Sequence, residues 1–155
     1  MQQFLGEYEV LLDAKMRFLL PAAFRKQLTE STADRFVINR GFDGCLVLYP
    51  MDVWQATSAH VNAMNDFLPE VRQFKRLFLN GATIVEVDSA GRILLPKTLT
   101  EAVGIEKEIV FSAQGNKVEL WDKKTYHNYL NQNAGSFSAL AAKLANGTPG
   151  GTLLS

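Results

Sequence analysis

Two stretches decide the fold: Gly6 to Pro21 reads GEYEVLLDAKMRFLLP, and Gly81 to Pro96 reads GATIVEVDSAGRILLP. They begin 75 positions apart (81 − 6) and share seven of sixteen residues. The shared pairs are Gly6/Gly81, Val10/Val85, Asp13/Asp88, Arg17/Arg92, Leu19/Leu94, Leu20/Leu95 and Pro21/Pro96. An internal repeat of this quality indicates that one structural unit occurs twice in the chain.

Each copy predicts the same order of elements: strand, turn, strand, helix and hairpin. A run rich in β-forming residues comes first and stops at a turn that contains aspartate. A short second strand follows, and the proline after it stands where the first turn of a helix tolerates one. The predicted helix and hairpin strands are 22–28, 36–39 and 45–49 in the first copy and 97–103, 109–112 and 118–121 in the second.

The length of the repeated unit bears on how the two copies fold. A unit of about 50 residues buries too little surface to be comfortably stable alone. We therefore expect an α+β fold with a mainly β core, in which two tandem β-β-α-β-β repeats pair across a pseudo-twofold axis as one barrel. The predicted segments are 4–54 for the first repeat, 55–80 for a helical linker, 81–126 for the second repeat, and 127–155 for a C-terminal helix and flexible tail.

The helical extensions follow from their apolar spacing. Asp52 is the predicted N-cap of a helix that runs to about residue 65, and a second helix is predicted over 69–79. In that second helix, Arg72, Lys75 and Arg76 share one face, which we interpret as a solvated face or a contact with another subunit.

Charge is balanced overall but unevenly placed. Sixteen Lys and Arg residues match sixteen Asp and Glu residues, and 47% of the chain is hydrophobic. These values exclude a disordered chain and a uniformly basic DNA-coating protein. Between residues 13 and 40, however, six cations face three acids, a net charge of +3 (6 − 3). Nucleic-acid binding would therefore need this local patch, which contains Lys15, Arg17, Arg25, Lys26, Arg35 and Arg40.

The repeated Asp-x-x-x-Arg motif is the candidate site. We expect Asp13 and Asp88 to be structural, because aspartate accepts backbone N–H bonds in a turn and pairs with a nearby arginine. Arg17 and Arg92 would then lie at an exposed hairpin edge, where arginine can reach a phosphate or a guanine. Lys15 stands at the tip of the first turn and is a third candidate for DNA contact.

Other chemistry is poorly represented in the sequence. The single cysteine, Cys45, lies in an apolar run and is predicted to be a core residue. Because the chain has only two histidines beside it, we expect no metal site of sulfur and nitrogen ligands. No glycine-rich phosphate loop, nucleophile elbow or histidine triad spacing occurs, so we expect no enzyme, cofactor or small-molecule substrate. With no apolar run near ~18 residues and no basic leader, we expect a cytoplasmic protein without a membrane partner.

The tandem Asp-x-x-x-Arg-x-x-x-Pro units, the segment VRQFKRLFLNGA at 71–82 and VELW at 118–121 together resemble the MraZ family of AbrB-like swapped-hairpin proteins. The resemblance covers roughly residues 4 to 130. It implies a nucleoid-associated transcriptional regulator that binds short direct repeats in double-stranded DNA upstream of the division and cell-wall gene cluster. It also implies a homo-oligomeric ring of several copies.

The resemblance places the DNA-binding motif on Asp13 and Arg17, with Lys15 between them, and on Asp88 and Arg92. The family has glycine before the motif arginine, whereas the first copy here has Met16. Because a residue with a side chain tolerates positive φ poorly, the first turn is expected to differ in shape from the second.

Two further functions stay open on the sequence alone. The paired repeats and the aromatic stripes of the helices also suit an oligomeric interaction protein that binds no DNA. An AbrB-type antitoxin is the third possibility, although those proteins usually carry one unit and a separate toxin-binding tail. The operator sequence, the ring size and the choice between repression and activation are open as well.

Overall fold

The computed structural model describes residues 3–30 and 34–146, in two units, Met1–Lys123 and Lys124–Ser155. The first repeat contains β1 (Glu7–Leu11), β2 (Arg17–Leu19), α1 (Ala22–Arg25), β3 (Arg35–Arg40) and β4 (Leu46–Pro50). The helices α2 (Met51–Asn62) and α3 (Pro69–Leu79) follow. The second repeat contains β5 (Thr83–Glu86), β6 (Arg92–Leu94), α4 (Lys97–Val103), β7 (Glu108–Gln114) and β8 (Lys117–Asp122). The last helices are α5 (Lys123–Asn133) and α6 (Phe137–Ala145).

Strand pairing interlocks the two repeats. An antiparallel sheet has the order β1-β7-β8-β4-β3-β5, and β2 pairs with β6 as a separate ribbon. Exchanging each strand for its counterpart in the other repeat only reverses this order, so the arrangement is pseudo-symmetric. The first strand of each repeat pairs with the third strand of the other. The prediction of a mainly β, α+β fold is confirmed, but within the described residues the sheet is open and no closed barrel is formed.

The hydrophobic core is shared as well. Phe18 and Phe24 come from the first repeat and Phe111 from the second, and all three are almost completely buried. The ring centroid of Phe111 lies 4.9 Å from that of Phe24 and 6.1 Å from that of Phe18. Each such side chain contributes about 1.5–3 kcal/mol when it leaves water. Neither repeat therefore completes its core alone, which explains why the unit occurs twice in one chain.

Some helix boundaries differ from those predicted. The helix α1 is one turn long rather than extending to residue 28. Asp52 is not an N-cap: α2 begins at Met51, and Pro50 precedes it without a side-chain cap. The strand β4 runs to Pro50, whose φ of −55° is compatible with the start of a helix. Helix α4 does end at Gly104, in the left-handed conformation expected of a glycine cap.

The remaining features concern the cysteine, possible membrane spans and metal sites, and the C-terminal segment. Cys45 is buried, as predicted, and burial raises the pKa of its thiol to about 12. Over residues 3–30 and 34–146, no helix is long and apolar enough to span a membrane, and no group of three or more potential ligands is placed to hold a metal ion. In the predicted C-terminal segment 127–155, helical structure is present as α5 and α6, and residues 147–155 of the predicted flexible tail lie outside the described residues.

Candidate nucleic-acid interface

The first motif turn is closed by Asp13. Its backbone N–H donates to the Arg17 carbonyl at 2.8 Å, and the Met16 N–H donates to the Asp13 carbonyl at 3.0 Å. The carboxylate Oδ1 accepts the N–H groups of Lys15 and Arg17, both at 2.9 Å, while Oδ2 accepts Nε–H of Arg17 at 2.9 Å. The hydrogen bond from the Arg17 backbone is the largest of the causes that lower the pKa of Asp13. The carboxylate is therefore held in its charged form.

The second motif turn repeats these bonds. The Asp88 N–H donates to the Arg92 carbonyl at 2.9 Å, and the Gly91 N–H donates to the Asp88 carbonyl at 2.9 Å. Oδ1 of Asp88 accepts the N–H groups of Ala90 at 2.9 Å and Arg92 at 2.8 Å, and Oδ2 accepts Nε–H of Arg92 at 3.0 Å. The backbone bond from Arg92 is again the largest cause of a lowered pKa at Asp88.

The expectation that Met16 gives the first turn a different shape is wrong. Met16 has φ 64° and Gly91 has φ 82°, so both residues adopt the left-handed conformation. Holding a non-glycine residue there costs about 1–2 kcal/mol. The side chain of Met16 is half-buried and packs against the hydrophobic core, which offsets part of that cost. Sequence reasoning counted the backbone strain and missed the packing.

Each turn is held by the opposite repeat. The Leu95 N–H donates to the Met16 carbonyl at 2.9 Å, and the Leu20 N–H donates to the Gly91 carbonyl at 3.0 Å. In the β2–β6 ribbon, Arg17 is opposite Leu94 and Leu19 is opposite Arg92. The two arginines therefore start from opposite ends of one short ribbon. Backbone hydrogen bonds and buried leucines fix both turns, so the backbone that carries each arginine is held rigidly.

The arginines retain unused hydrogen-bonding capacity. The Arg17 side chain is 26% exposed and the Arg92 side chain is 35% exposed. Each gives its Nε–H to the motif aspartate, and its terminal N–H groups have no partner in the described part of the chain. A guanidinium fork of this kind matches the oxygen atoms of a phosphate or the acceptors of a guanine. Lys15 is exposed at the tip of the first turn and adds a second charge there.

Other cations of the basic patch have partners in the protein. Nε of Arg35 lies 4.0 Å from a carboxylate oxygen of Glu86. The guanidinium of Arg40 donates to the Leu77 carbonyl at 3.3 Å. Arg25, by contrast, lies against Gly91 of the second motif turn, although its position in the sequence indicated only membership of the basic patch. Its helix belongs to the other repeat, so no spacing along the chain could have revealed this placement.

Two of the three cations on α3 close the connection from α2. Arg72 donates to the carbonyl of Asp66 at 2.8 Å, and Lys75 Nζ lies 2.6 Å from the carboxylate of the same residue. Lys75 also donates to the backbone carbonyls of Asn62, the last residue of α2, and of Met64 in the connection, at 3.1 Å each. Only Arg76 of the three is exposed and without a partner in the residues described.

Fold and site together define a class: an interlocked tandem-repeat α+β protein in which each repeat presents a rigid turn ending in arginine. The family model described as "MraZ protein, putative antitoxin-like" matches residues 3–77 and again residues 78–146. The chain belongs to the MraZ family.

Curated relatives support this membership over most of their length. A protein of Christiangramia forsetii is 43% identical over 141 residues, covering 90% of this chain and 91% of the relative. One from Cytophaga hutchinsonii is 39% identical over 140 residues, covering 90% of this chain and 93% of the relative. Both are named "Transcriptional regulator MraZ". The solution structure of PHS018 from Pyrococcus horikoshii covers 75% of this chain and 86% of its own, with 15% identity and a TM-score of 0.32, which is too low to bear on the fold.

Proposed function

We propose that this protein regulates transcription by binding double-stranded DNA through its two motif turns, with Lys15, Arg17 and Arg92 as contacting residues. The observation that carries the proposal is the matched pair of turns. In both, an aspartate fixes the arginine by Nε and leaves the outer edge of the guanidinium available. The naming of the relatives as transcriptional regulators supports the same function.

The electrostatics of one protomer favour many weak contacts over one strong contact. The whole chain has a formal net charge of zero. Neutralising a DNA phosphate releases counterions and steepens the dependence of log K on log salt by about 0.9. One protomer can supply only a few such contacts, and linking several protomers to spaced sites multiplies them through effective concentration. We therefore propose that a ring of several copies binds short direct repeats upstream of the division and cell-wall gene cluster.

An exposed aromatic surface supports self-assembly. Phe42, in the turn between β3 and β4, is 80% exposed, yet its ring stacks on those of Phe74 and Phe78 at 6.5 Å and 6.2 Å. Leu77 on α3 is 58% exposed next to this stack and lines the same groove. Contiguous apolar surface of this kind is characteristic of protein–protein contacts. We assign it to contacts between copies of this chain, at the nucleoid in the cytoplasm.

The proposal also covers the finer architecture. We infer that the exchange of first strands between repeats is the swapped-hairpin arrangement of AbrB-like proteins. In this interpretation, residues 4–54 and 81–126 are the two repeats, 55–80 is the helical linker, and 127–155 is a C-terminal extension.

The function is tested with Arg17→Ala and a labelled DNA fragment from directly upstream of the coding sequence. Arg17→Ala should abolish binding in fluorescence anisotropy at low salt, because every protomer of the ring loses one contact. Sedimentation velocity should show unchanged assembly, since within the described residues the Arg17 side chain donates its hydrogen bond to Asp13 of the same turn. Arg76→Ala removes an equal charge from α3 and serves as the control. Unchanged affinity of Arg17→Ala would show that the proposed site is wrong.

Two other functions have some support. The exposed aromatic surface around Phe42 also suits a protein that assembles without binding DNA. Gel filtration with and without the upstream fragment separates the two, because only a DNA-binding protein co-elutes with the fragment. The description of the family as putative antitoxin-like favours a second alternative, in which the protein binds a toxin. Co-purification of a stoichiometric toxin from the native host would favour it.

A further inference from the structure

The glycine of the second motif turn is covered by a residue of the first repeat. Gly91 is buried although the residues before it, Ser89 and Ala90, are exposed. A Cβ placed on Gly91 would lie 2.5 Å from Nη1 and 3.1 Å from Cζ of Arg25. Arg25 is the last residue of α1. The guanidinium of one repeat therefore lies directly over the backbone of the other repeat's motif turn.

The helix of the second repeat does not place an equivalent arginine over the first motif turn. By the alignment of Pro21 with Pro96, the counterpart of Arg25 is Thr100, which is buried and donates its hydroxyl hydrogen to the carbonyl of Lys97 at 2.8 Å. The counterpart of Lys26 is Glu101. The second repeat thus offers no cation at either position, whereas in the first repeat Arg25 ends α1 and Lys26 follows it.

The motif turns themselves show the reverse difference in cations. The first turn carries its own lysine, Lys15, whereas the equivalent residue of the second turn is Ala90. The turn that lacks a lysine is the turn over which Arg25 lies. The charge missing from one repeat is supplied by the helix of the other.

An open cleft extends this arrangement. Arg25 and Lys26 line it together with Asp88 of the second turn and Asp34. Both residues are exposed, and neither side chain has a hydrogen-bonding or ionic partner among the described residues. Including Arg92, this surface has a net charge of +1 (3 − 2).

The surface around the first turn has the same net charge from fewer residues. Lys15 and Arg17 oppose Asp13, which gives +1 (2 − 1). The named residues at the two turns thus give equal net charge, although different residues supply it at each turn.

We propose that Arg25, assisted by Lys26, binds a DNA phosphate at the second motif turn and does there what Lys15 does at the first. This assignment rests on the proposed function. Arginine suits the role, because its planar fork can donate two hydrogen bonds to one phosphate. A contact to phosphate strengthens binding without reading sequence, so Arg25 should act equally on operator and unrelated DNA.

The test is Arg25→Thr, which installs the residue found at the equivalent position of the second repeat. One phosphate contact contributes about 0.9 to the salt slope, equivalent to about tenfold in affinity at 0.1 M salt. We expect Arg25→Thr to weaken binding by at least that factor on both DNA types and to reduce the slope. The measurement is fluorescence anisotropy of the full-length protein across a salt series. Arg76→Thr makes the same substitution on α3 at a residue that does not line the aromatic groove. With assembly verified by sedimentation velocity, it should leave both quantities unchanged.

Asp34→Asn provides a test in the opposite direction. It removes a negative charge from the cleft, so affinity should rise severalfold and the salt dependence should steepen. An affinity and slope of Arg25→Thr equal to those of the unsubstituted protein, while Arg17→Ala loses binding, would overturn the role of Arg25 and leave the proposed function intact. Absence of DNA binding by the unsubstituted protein would overturn both.

Discussion

The two motif turns are nearly identical in their hydrogen bonds and different in the residues between Asp and Arg. The bond from arginine Nε to aspartate Oδ2 is 2.9 Å in the first turn and 3.0 Å in the second. The first turn reaches this geometry with Lys15 and Met16, and the second with Ala90 and Gly91. The comparison shows that Asp and Arg determine the turn, while the residues between them are free to specialise.

The specialisation concerns what covers the left-handed residue. In the first turn, the side chain of Met16 packs against the core and covers the left-handed backbone. In the second, Gly91 leaves space that Arg25 of the other repeat fills. A duplicated unit has thereby acquired two surfaces of similar charge and different composition, which a homodimer of single units could not have.

The largest expected effect is on the free energy of unfolding. It tests whether contacts from the opposite repeat stabilise the two turns equally. Leu20→Ala and Leu95→Ala each remove a nearly fully buried side chain beside a cross-repeat hydrogen bond, and each should lower the free energy of unfolding by about 2–5 kcal/mol. Urea denaturation measures this. Leu19→Ala, at a position 57% exposed, is the control and should change stability by less than about 0.5 kcal/mol. A large loss for only one of the two leucines would show that the turns are held differently.

Gly91→Met tests whether the missing side chain of Gly91 makes room for the guanidinium of Arg25. The left-handed backbone and the collision with the guanidinium together should reduce the free energy of unfolding by about 1–2 kcal/mol and weaken DNA binding as Arg25→Thr does. In the Arg25→Thr background the same substitution should have a smaller effect on binding, because the collision is gone. Additive losses in this double-mutant cycle would contradict the contact.

Met16→Gly is the reciprocal change and should have a smaller effect. Glycine relieves the left-handed strain at φ 64°, and the loss of half-buried side-chain packing opposes that gain. The two terms are of similar size, so thermal unfolding should place the variant within about 1 kcal/mol of the unsubstituted protein. A strong stabilisation would mean that the packing of Met16 contributes little.

The smallest expected effect is on the pH dependence of stability. The pKa values of Asp13 and Asp88 are lowered in the folded state, so the unfolded chain binds protons more readily. The stabilisation from these carboxylates is complete above the unfolded aspartate value of about 3.9 and is lost as pH falls through the folded pKa values. Unfolding followed by circular dichroism should show this acid-side decline, and it should be shallower in the double variant Asp13→Asn/Asp88→Asn. If the decline in stability at acid pH were the same in the double variant, other titratable groups would be its cause.

The sequence by itself determined the features that depend on neighbours along the chain. The repeat, the order of strands and helices and the buried position of Cys45 all follow from local pattern. The pairing of each motif aspartate with its arginine follows as well, since four residues and a tight turn leave the two side chains little choice.

Only the tertiary structure decided which repeat completes which surface. Strand exchange brings Arg25 onto Gly91, and packing makes the left-handed Met16 tolerable. The tertiary structure also pairs Arg72 and Lys75 with the connection between α2 and α3. Their spacing along the helix predicts a solvated face or a contact with another subunit. The physical reason is common to these cases: they depend on contacts between residues far apart in sequence, whose free energies arise only once both repeats share one core.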